Sequence, residues 1–162
     1  MTFEGRVWKY GDSVNTDVII PGKYIFITPD PLELAKHAME DLDPSFAGSV
    51  KKGDIIVAGV NFGCGSSREA AVTCIKAAGV SAIVAKSFSR IYFRNAINQG
   101  LPVIQCEEAV DKISSGEEIT IDFEKGKLYC RAGEFNFPAL PEAILGIFKD
   151  GGLVSHIKKT LR

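Results

Sequence analysis

Features that would assign this chain quickly are scarce. Its 162 residues include one tryptophan, two methionines and two histidines, and the four cysteines form no C-x-x-C pair. That spacing argues against a zinc site or a locally ligated iron–sulfur cluster. The charges nearly cancel, 19 lysines and arginines against 20 acids, and no basic cluster offers a footprint for nucleic acid. No apolar run approaches the ~20 residues needed to span a bilayer. Met1-Thr2-Phe3-Glu4-Gly5-Arg6 lacks the basic-then-apolar order of a secretory signal. The glycines form neither a Walker A loop nor G-x-G-x-x-G. A cytoplasmic protein with reduced thiols is expected.

What is present is the composition of an ordinary globular domain, 46% hydrophobic and 24% charged. The length fits one domain, residues 1–162, with a sizeable core. The middle of the chain alternates: strand 54–60, helix 67–78, strand 81–86, helix 89–98, strand 101–105, then a short helix at 107–113. Ile/Val runs separated by helical lengths predict parallel βαβ units with right-handed crossovers. Antiparallel strands are expected at both ends. At the start these are Phe3 to Tyr10 and Asp17 to Ile20. Near the end a hairpin of 118–123 and 127–131 turns at Glu124-Lys125-Gly126, with a further strand near 134–137. Pro31 to Glu40 reads as a helix, and 141–149 and 152–160 as two more, parted at Gly151-Gly152. The expected class is α/β, parallel βαβ units with added antiparallel strands.

The segment richest in chemistry is Asn61-Phe62-Gly63-Cys64-Gly65-Ser66-Ser67-Arg68-Glu69, between a buried strand and a helix of small residues. A strand that turns through glycines into a helix leaves backbone N–H groups bare, which suits an anion. Ser66-x-x-Glu69 also has the spacing of a capping box. Arg68 weighs against plain capping, because a cation in a first helical turn opposes the macrodipole by ~0.3–1 kcal/mol. A bound carboxylate or phosphate would supply the reason for it. Cys64 lies in this turn, whereas Cys74, Cys106 and Cys130 lie in apolar stretches and read as small core residues.

Three further segments are candidates. Asn15-Thr16-Asp17-Val18-Ile19-Ile20-Pro21 reads first as a turn entering a strand. Tyr24-Ile25-Phe26-Ile27-Thr28 is an apolar stretch between Gly22 and Pro29, either a strand or a loop offering an apolar pocket. In Ser87-Phe88-Ser89-Arg90-Ile91-Tyr92-Phe93-Arg94-Asn95, Ser89 is a helix N-cap and the two arginines share a face. His37 and His156 have no ligand-type neighbours at metal spacing and read as structural.

In order along the chain, Asn15 to Pro21, Asn61 to Glu69 and Ser87 to Pro102 carry a resemblance to the small subunits of 3-isopropylmalate dehydratases, the counterparts of the aconitase swivel domain. The resemblance extends over essentially the whole chain. One departure is Ala70, where many relatives have a histidine. The resemblance implies a swivel-type β/β/α fold. It also implies a hydro-lyase reaction that interconverts 2- and 3-isopropylmalate through isopropylmaleate, in leucine biosynthesis. A 4Fe-4S cluster would come from a large partner subunit in a hetero-oligomer, with no metal on this chain. By the same resemblance Ser66 is the catalytic base, Ser67 and Arg68 hold a substrate carboxylate, and Asp17 with Thr16 completes the site. Tricarboxylate-binding relatives carry an arginine where this chain has Tyr24, Ile25, Phe26, Ile27 and Thr28. Burying an unpaired carboxylate there would cost several kcal/mol, so an isopropyl group is the expected occupant. A homoaconitase-type or broad-specificity malate dehydratase subunit is the nearest alternative. A non-catalytic carboxylate- or phosphate-binding module is the alternative from another class.

Overall fold

The computed structural model describes residues 1–162. Its centre is β1 (Thr2–Lys9), which serves two sheets' worth of neighbours. The Thr2–Arg6 half pairs antiparallel with β5 (Glu118–Asp122), and the Val7–Lys9 half pairs parallel with β2 (Ile55–Ala58). Beyond β2 follow β3 (Ala82–Ala85) and β4 (Val103–Gln105), all parallel; beyond β5 follow β6 (Lys127–Cys130) and β7 (Gly133–Asn136), all antiparallel. The seven strands run β4-β3-β2-β1-β5-β6-β7. This is the α/β class expected, with parallel βαβ units and an antiparallel extension.

Burial explains why the two halves read differently in the sequence. Every residue of β2 and β3 is buried, so their apolar runs are unbroken, as parallel strands covered on both faces require. Alternate side chains enter different cores: Ile56, Ala58, Ile83 and Ala85 join one, and Ile55, Val57, Ala82 and Val84 the other. The first core is closed by α5 (Ala70–Ala77) and α6 (Arg90–Gln99), with Ile75, Tyr92 and Ala96 buried in it. The second is closed by α7 (Glu107–Lys112) and α8 (Glu142–Lys149), with Val110 and Leu145. A last helix, which we number α9 (Leu153–Thr160), buries nothing. No helix is long and apolar enough to cross a membrane.

Four local expectations are corrected. Thr16–Ile19 is a helical turn, α1, not a strand: Asn15 caps it, its Oδ1 accepting from the N–H groups of Asp17 and Val18 at 2.8 and 3.1 Å. The cap and the burial of Ile19 override the β-branched preference. Gly22–Ile27 is a helix, α2, and neither strand nor loop; it ends at Thr28, which is extended ahead of Pro29. The helix expected over 31–40 is only α3 (Pro31–Ala35), because Met39 takes a left-handed conformation, φ 62°, and donates its N–H to Ile19 O instead. A further turn, α4 (Phe46–Ser49), was not foreseen. Finally, Cys74 and Cys106 are buried as expected, but Cys130 at the end of β6 is only half-buried.

Asp54 joins the loops to the sheet. Its buried carboxylate accepts from Trp8 Nε1 at 2.9 Å and from the Lys51 N–H at 2.9 Å. Removing it in Asp54→Ala should cost about 1–3 kcal/mol for each donor left unpaired. Urea unfolding followed by the fluorescence of Trp8, the sole tryptophan, measures this; Asp54→Asn, which keeps an acceptor, should lose less.

Candidate active site

The loop after β2 is shaped by left-handed residues at every second position: Asn61 (φ 59°), Gly63 (φ 81°) and Gly65 (φ 91°). Asparagine tolerates this region and glycine has no penalty there. Gly63 is also a point of closest approach, since a Cβ at that residue would lie 2.2 Å from Cγ of Tyr92. Tyr92 is fully buried in α6 and its hydroxyl donates to Ala71 O at 2.9 Å. The absence of a side chain at residue 63 therefore lets the loop lie against α6.

The same loop gathers the other two segments. Gly63 N–H donates to Val14 O at 2.7 Å, and Thr16 N–H donates to Cys64 O at 2.9 Å. The Thr16 hydroxyl donates to Ser66 O at 2.8 Å. On the other flank Asn61 N–H donates to Ser87 Oγ at 2.7 Å, and Ser89 Oγ donates to Gly63 O at 2.8 Å while capping α6. The three segments that carry the resemblance thus meet at residues 61–68.

Their side chains divide into held and open groups. Arg68 is mostly buried; its Nη2 pairs with Asp17 Oδ1 at 2.5 Å and its Nη1 donates to Ile20 O at 3.1 Å. Ser66 and Ser67 are exposed, and the backbone N–H groups of Ser66, Ser67 and Arg68 donate to no backbone carbonyl. The capping box does not form: α5 starts at Ala70, its N-cap is Glu69, and no side chain caps it. Arg68 accordingly precedes the helix, and its position is accounted for by Asp17 and Ile20 rather than by a conflict with the dipole. The gap beneath the loop, between Thr16, Ser66, Tyr92 and Asn95, has no room for a water molecule. The space for a ligand lies on the open side of the loop.

There a cleft of about 400 Å³ separates α2 from the loop, with Ile25 and Phe26 on one wall and Ser67, Arg68, Glu69 and Ala70 on the other. Phe26 is 91% exposed. Tyr24, Ile27 and Thr28 do not line the cleft, and Tyr24 turns away to Glu40. Of the segment 24–28, then, two residues adjoin the carboxylate-binding candidates. Sequence reasoning missed the Arg68–Asp17 pair, the Tyr92 ring under Gly63 and the attachment of Tyr24 to Glu40. Only the i,i+3 spacing of His37 and Glu40 hinted at the last.

The cysteines take no part in this cluster beyond the backbone of Cys64. Burial pushes the Cys74 thiol up to about 12, the state of an inert core residue. No three His, Cys, Asp or Glu side chains gather as metal ligands would, so the chain's own residues do not fit an iron–sulfur cluster.

Comparison with known proteins agrees along the whole chain. Residues 35–109 match the family described as the aconitase C-terminal domain. The 3-isopropylmalate dehydratase small subunit of Caldicellulosiruptor saccharolyticus is 54% identical, over 100% of this chain and 94% of that protein. Small subunit 1 of Archaeoglobus fulgidus is 53% identical, over 95% and 96%. The crystal structure of 3-isopropylmalate dehydratase from Methanocaldococcus jannaschii superposes with a TM-score of 0.93 at 45% identity, covering 99% of this chain and 96% of that one. A Thermococcus kodakaraensis aconitase X structure shares the fold at 19% identity, TM-score 0.53, over 85% and 90%.

Gly63→Ala tests the loop's packing. The overlap with Tyr92 should cost about 1–3 kcal/mol and the left-handed backbone about 1–2 kcal/mol more. Gly116→Ala, left-handed but with open space around it (φ 87°), should lose the backbone part alone. Thermal melts of the two variants measure the difference.

Proposed function

Because the chain belongs to the 3-isopropylmalate dehydratase small-subunit family of the aconitase superfamily, we propose that its loop 61–68 and helix α2 form the small-subunit half of that hydro-lyase's site. The reaction is the isomerisation of 2-isopropylmalate to 3-isopropylmalate in leucine biosynthesis, by removal and return of water. It needs a base for a carbon-bound proton, a Lewis acid for the departing hydroxyl and clamps for two carboxylates. In this reading the whole chain acts as one swivel-type domain in the cytoplasm.

Ser66 is the base. It is exposed at the meeting point of the three segments, and its backbone carbonyl is fastened by Thr16. The unpaired N–H groups of Ser66, Ser67 and Arg68 stabilise negative charge on its oxygen. Ser67 and the remaining guanidinium N–H groups of Arg68 grip a carboxylate, with Asp17 keeping the guanidinium plane in place. Across the cleft, Ile25 and Phe26 receive the isopropyl group. This juxtaposition of a fixed arginine with an apolar wall is the observation that carries the substrate assignment. A third carboxylate would meet no cation from residues 24–28, and Lys23 is turned onto the Tyr24 ring, 5.0 Å from its centroid.

The open side of the site implies a second wall. A large subunit supplies it, together with the 4Fe-4S cluster that provides the Lewis acid. The small chain alone should not hydrate isopropylmaleate, and activity should appear on adding the large subunit.

Ser66→Ala in the assembled enzyme tests the base. Turnover should fall by about 10²–10⁴-fold, the usual share of a general base, while melting temperature and subunit association hold, since no helix cap is lost. Near-normal turnover would overturn the role and favour a carboxylate-binding surface.

Phe26→Arg tests the specificity wall. It should lower kcat/KM for isopropylmalate and raise the relative value for a homocitrate-type tricarboxylate, because the new guanidinium then has a partner. An unchanged ratio of the two kcat/KM values would remove α2 from substrate selection.

A further inference from the structure

Helix α2 is lightly held: only Tyr24 and Ile25 pack, half-buried, against the first core. It spans six residues, buries none of them, and its N-cap Pro21 makes no side-chain hydrogen bond. A helix this short has no stability of its own in water. At its start it rests against Arg68, whose guanidinium approaches Gly22 and bonds Ile20 O. Its other polar attachment is Tyr24. The Tyr24 hydroxyl donates to Glu40 Oε1 at 2.6 Å, and its ring stacks on the His37 imidazole, centroids 3.7 Å apart and planes within 7°. His37 Nδ1 in turn bonds Glu40 Oε2 at 2.9 Å.

Glu40 is thus a cross-link with one oxygen on each partner. It is also well founded. Its neighbours Ala38 and Met39 are fully buried, and the Met39 N–H is fastened to Ile19 O at 2.8 Å. The Tyr24 hydroxyl, more than any other group, holds the Glu40 carboxyl below the usual carboxylate range, so the acceptor is charged at neutral pH. Glu40 does not line the cleft; whatever it does to a substrate it does through α2.

We infer that Glu40 is a positioning residue for substrate selection: by gripping Tyr24, with His37 stacked beside it, it holds α2 so that Ile25 and Phe26 wall the cleft opposite Ser67 and Arg68. The inference rests on the reading of α2 as the wall for the isopropyl group. It explains why a residue type suited to strands can serve as a helix on an open surface. The tyrosine is spent on anchorage and the next two residues are left for the ligand.

The test has two readouts. Hydrogen–deuterium exchange of the full chain, alone and with the large subunit, reports whether α2 is held. Steady-state kinetics of the assembled enzyme on isopropylmalate report whether the hold matters. Glu40→Ala should speed exchange at the Tyr24 and Thr28 amides, which bond Pro21 O and Tyr24 O at the two ends of α2. It should raise KM for isopropylmalate by about tenfold, a loss equal to one decade of affinity, with kcat within about twofold. Tyr24→Phe, which keeps the ring and removes only the hydroxyl, should reproduce this in kind, and the double variant should be no worse than Glu40→Ala. A residue that merely stabilises the fold would lower the melting temperature and the yield of active enzyme without this split. Unchanged exchange in both single variants overturns the clamp. Faster exchange with an unchanged KM overturns the positioning role. In that event Phe26→Arg, assayed alongside, shows which reading failed: an altered substrate preference there leaves α2 as the wall and removes only Glu40's part.

Discussion

The site depends on one close contact, the ring of Tyr92 lying where a side chain at residue 63 would be. It lets the loop after β2 descend onto α6, and that descent brings Phe62 beside Phe88 and Gly63 beside Val14. A bulkier residue would lift the loop and separate all three segments at once. The contact is also buffered on the far side, because Tyr92 is itself tied to Ala71 at the start of α5. Loop, α5 and α6 therefore form one unit of packing, in which the exposed tip at Ser66 and Ser67 is supported by buried neighbours. A base on a mobile, unsupported loop would not be placed to within the fraction of an ångström that proton transfer asks for.

The sheet explains where that unit sits. In the parallel half the loops that follow β2 and β3 leave the sheet at the same end, as they must when strands run alike, so residues 61–68 and 87–89 emerge side by side. β1 ends there too, and its continuation delivers Asn15 to Asp17 to the same rim. Crevices at the carboxyl ends of parallel strands are the usual place for ligands in α/β folds. The antiparallel extension contributes nothing to this rim; it completes the second core.

The cleft divides into two chemistries that do not mix. On the loop side are a guanidinium, one hydroxyl and the Glu69 carboxylate; on the α2 side are an aliphatic and an aromatic side chain. A ligand with carboxylates at one end and a branched alkyl group at the other satisfies both, whereas a ligand charged at both ends leaves one charge unpaired at a cost of several kcal/mol. The polar side is fixed by Asp17 and Ile20. The apolar side has no fully buried residue and rests on the half-buried packing of Tyr24 and Ile25 and on the Tyr24–Glu40 bond, which makes it the more adjustable one. In the proposed reading this arrangement keeps the reacting groups constant while leaving the substrate's side group to a small, separately anchored helix.

Much of this was legible in the residues. The buried parallel strands announce themselves as unbroken apolar runs because both their faces are covered, and the hairpin at Glu124-Lys125-Gly126 by its alternation and glycine. Ser89 before α6 and Gly100 after it mark that helix from cap chemistry alone. The three motifs were visible as candidates, since serine, arginine and glycine in that density are rarely needed for packing. What failed were the short elements. Asp17 to Ile20 and Tyr24 to Thr28 have strand-forming residues, yet both fold as helical turns, because an Asn15 cap and a Tyr24–Glu40 bond outweigh propensities worth only tenths of a kcal/mol per residue. Likewise the spacing of Ser66 and Glu69 permits a capping box, but the left-handed glycines and the pull of Asp17 on Arg68 delay the helix to Ala70. The strands and long helices follow from periodicity and local chemistry, and the candidate reactive groups were marked by the resemblance that the three motifs carry. Which groups meet is a matter of packing: Arg68 finds Asp17 and Tyr24 finds Glu40 across 51 and 16 residues of chain, and such contacts leave no local periodicity to read.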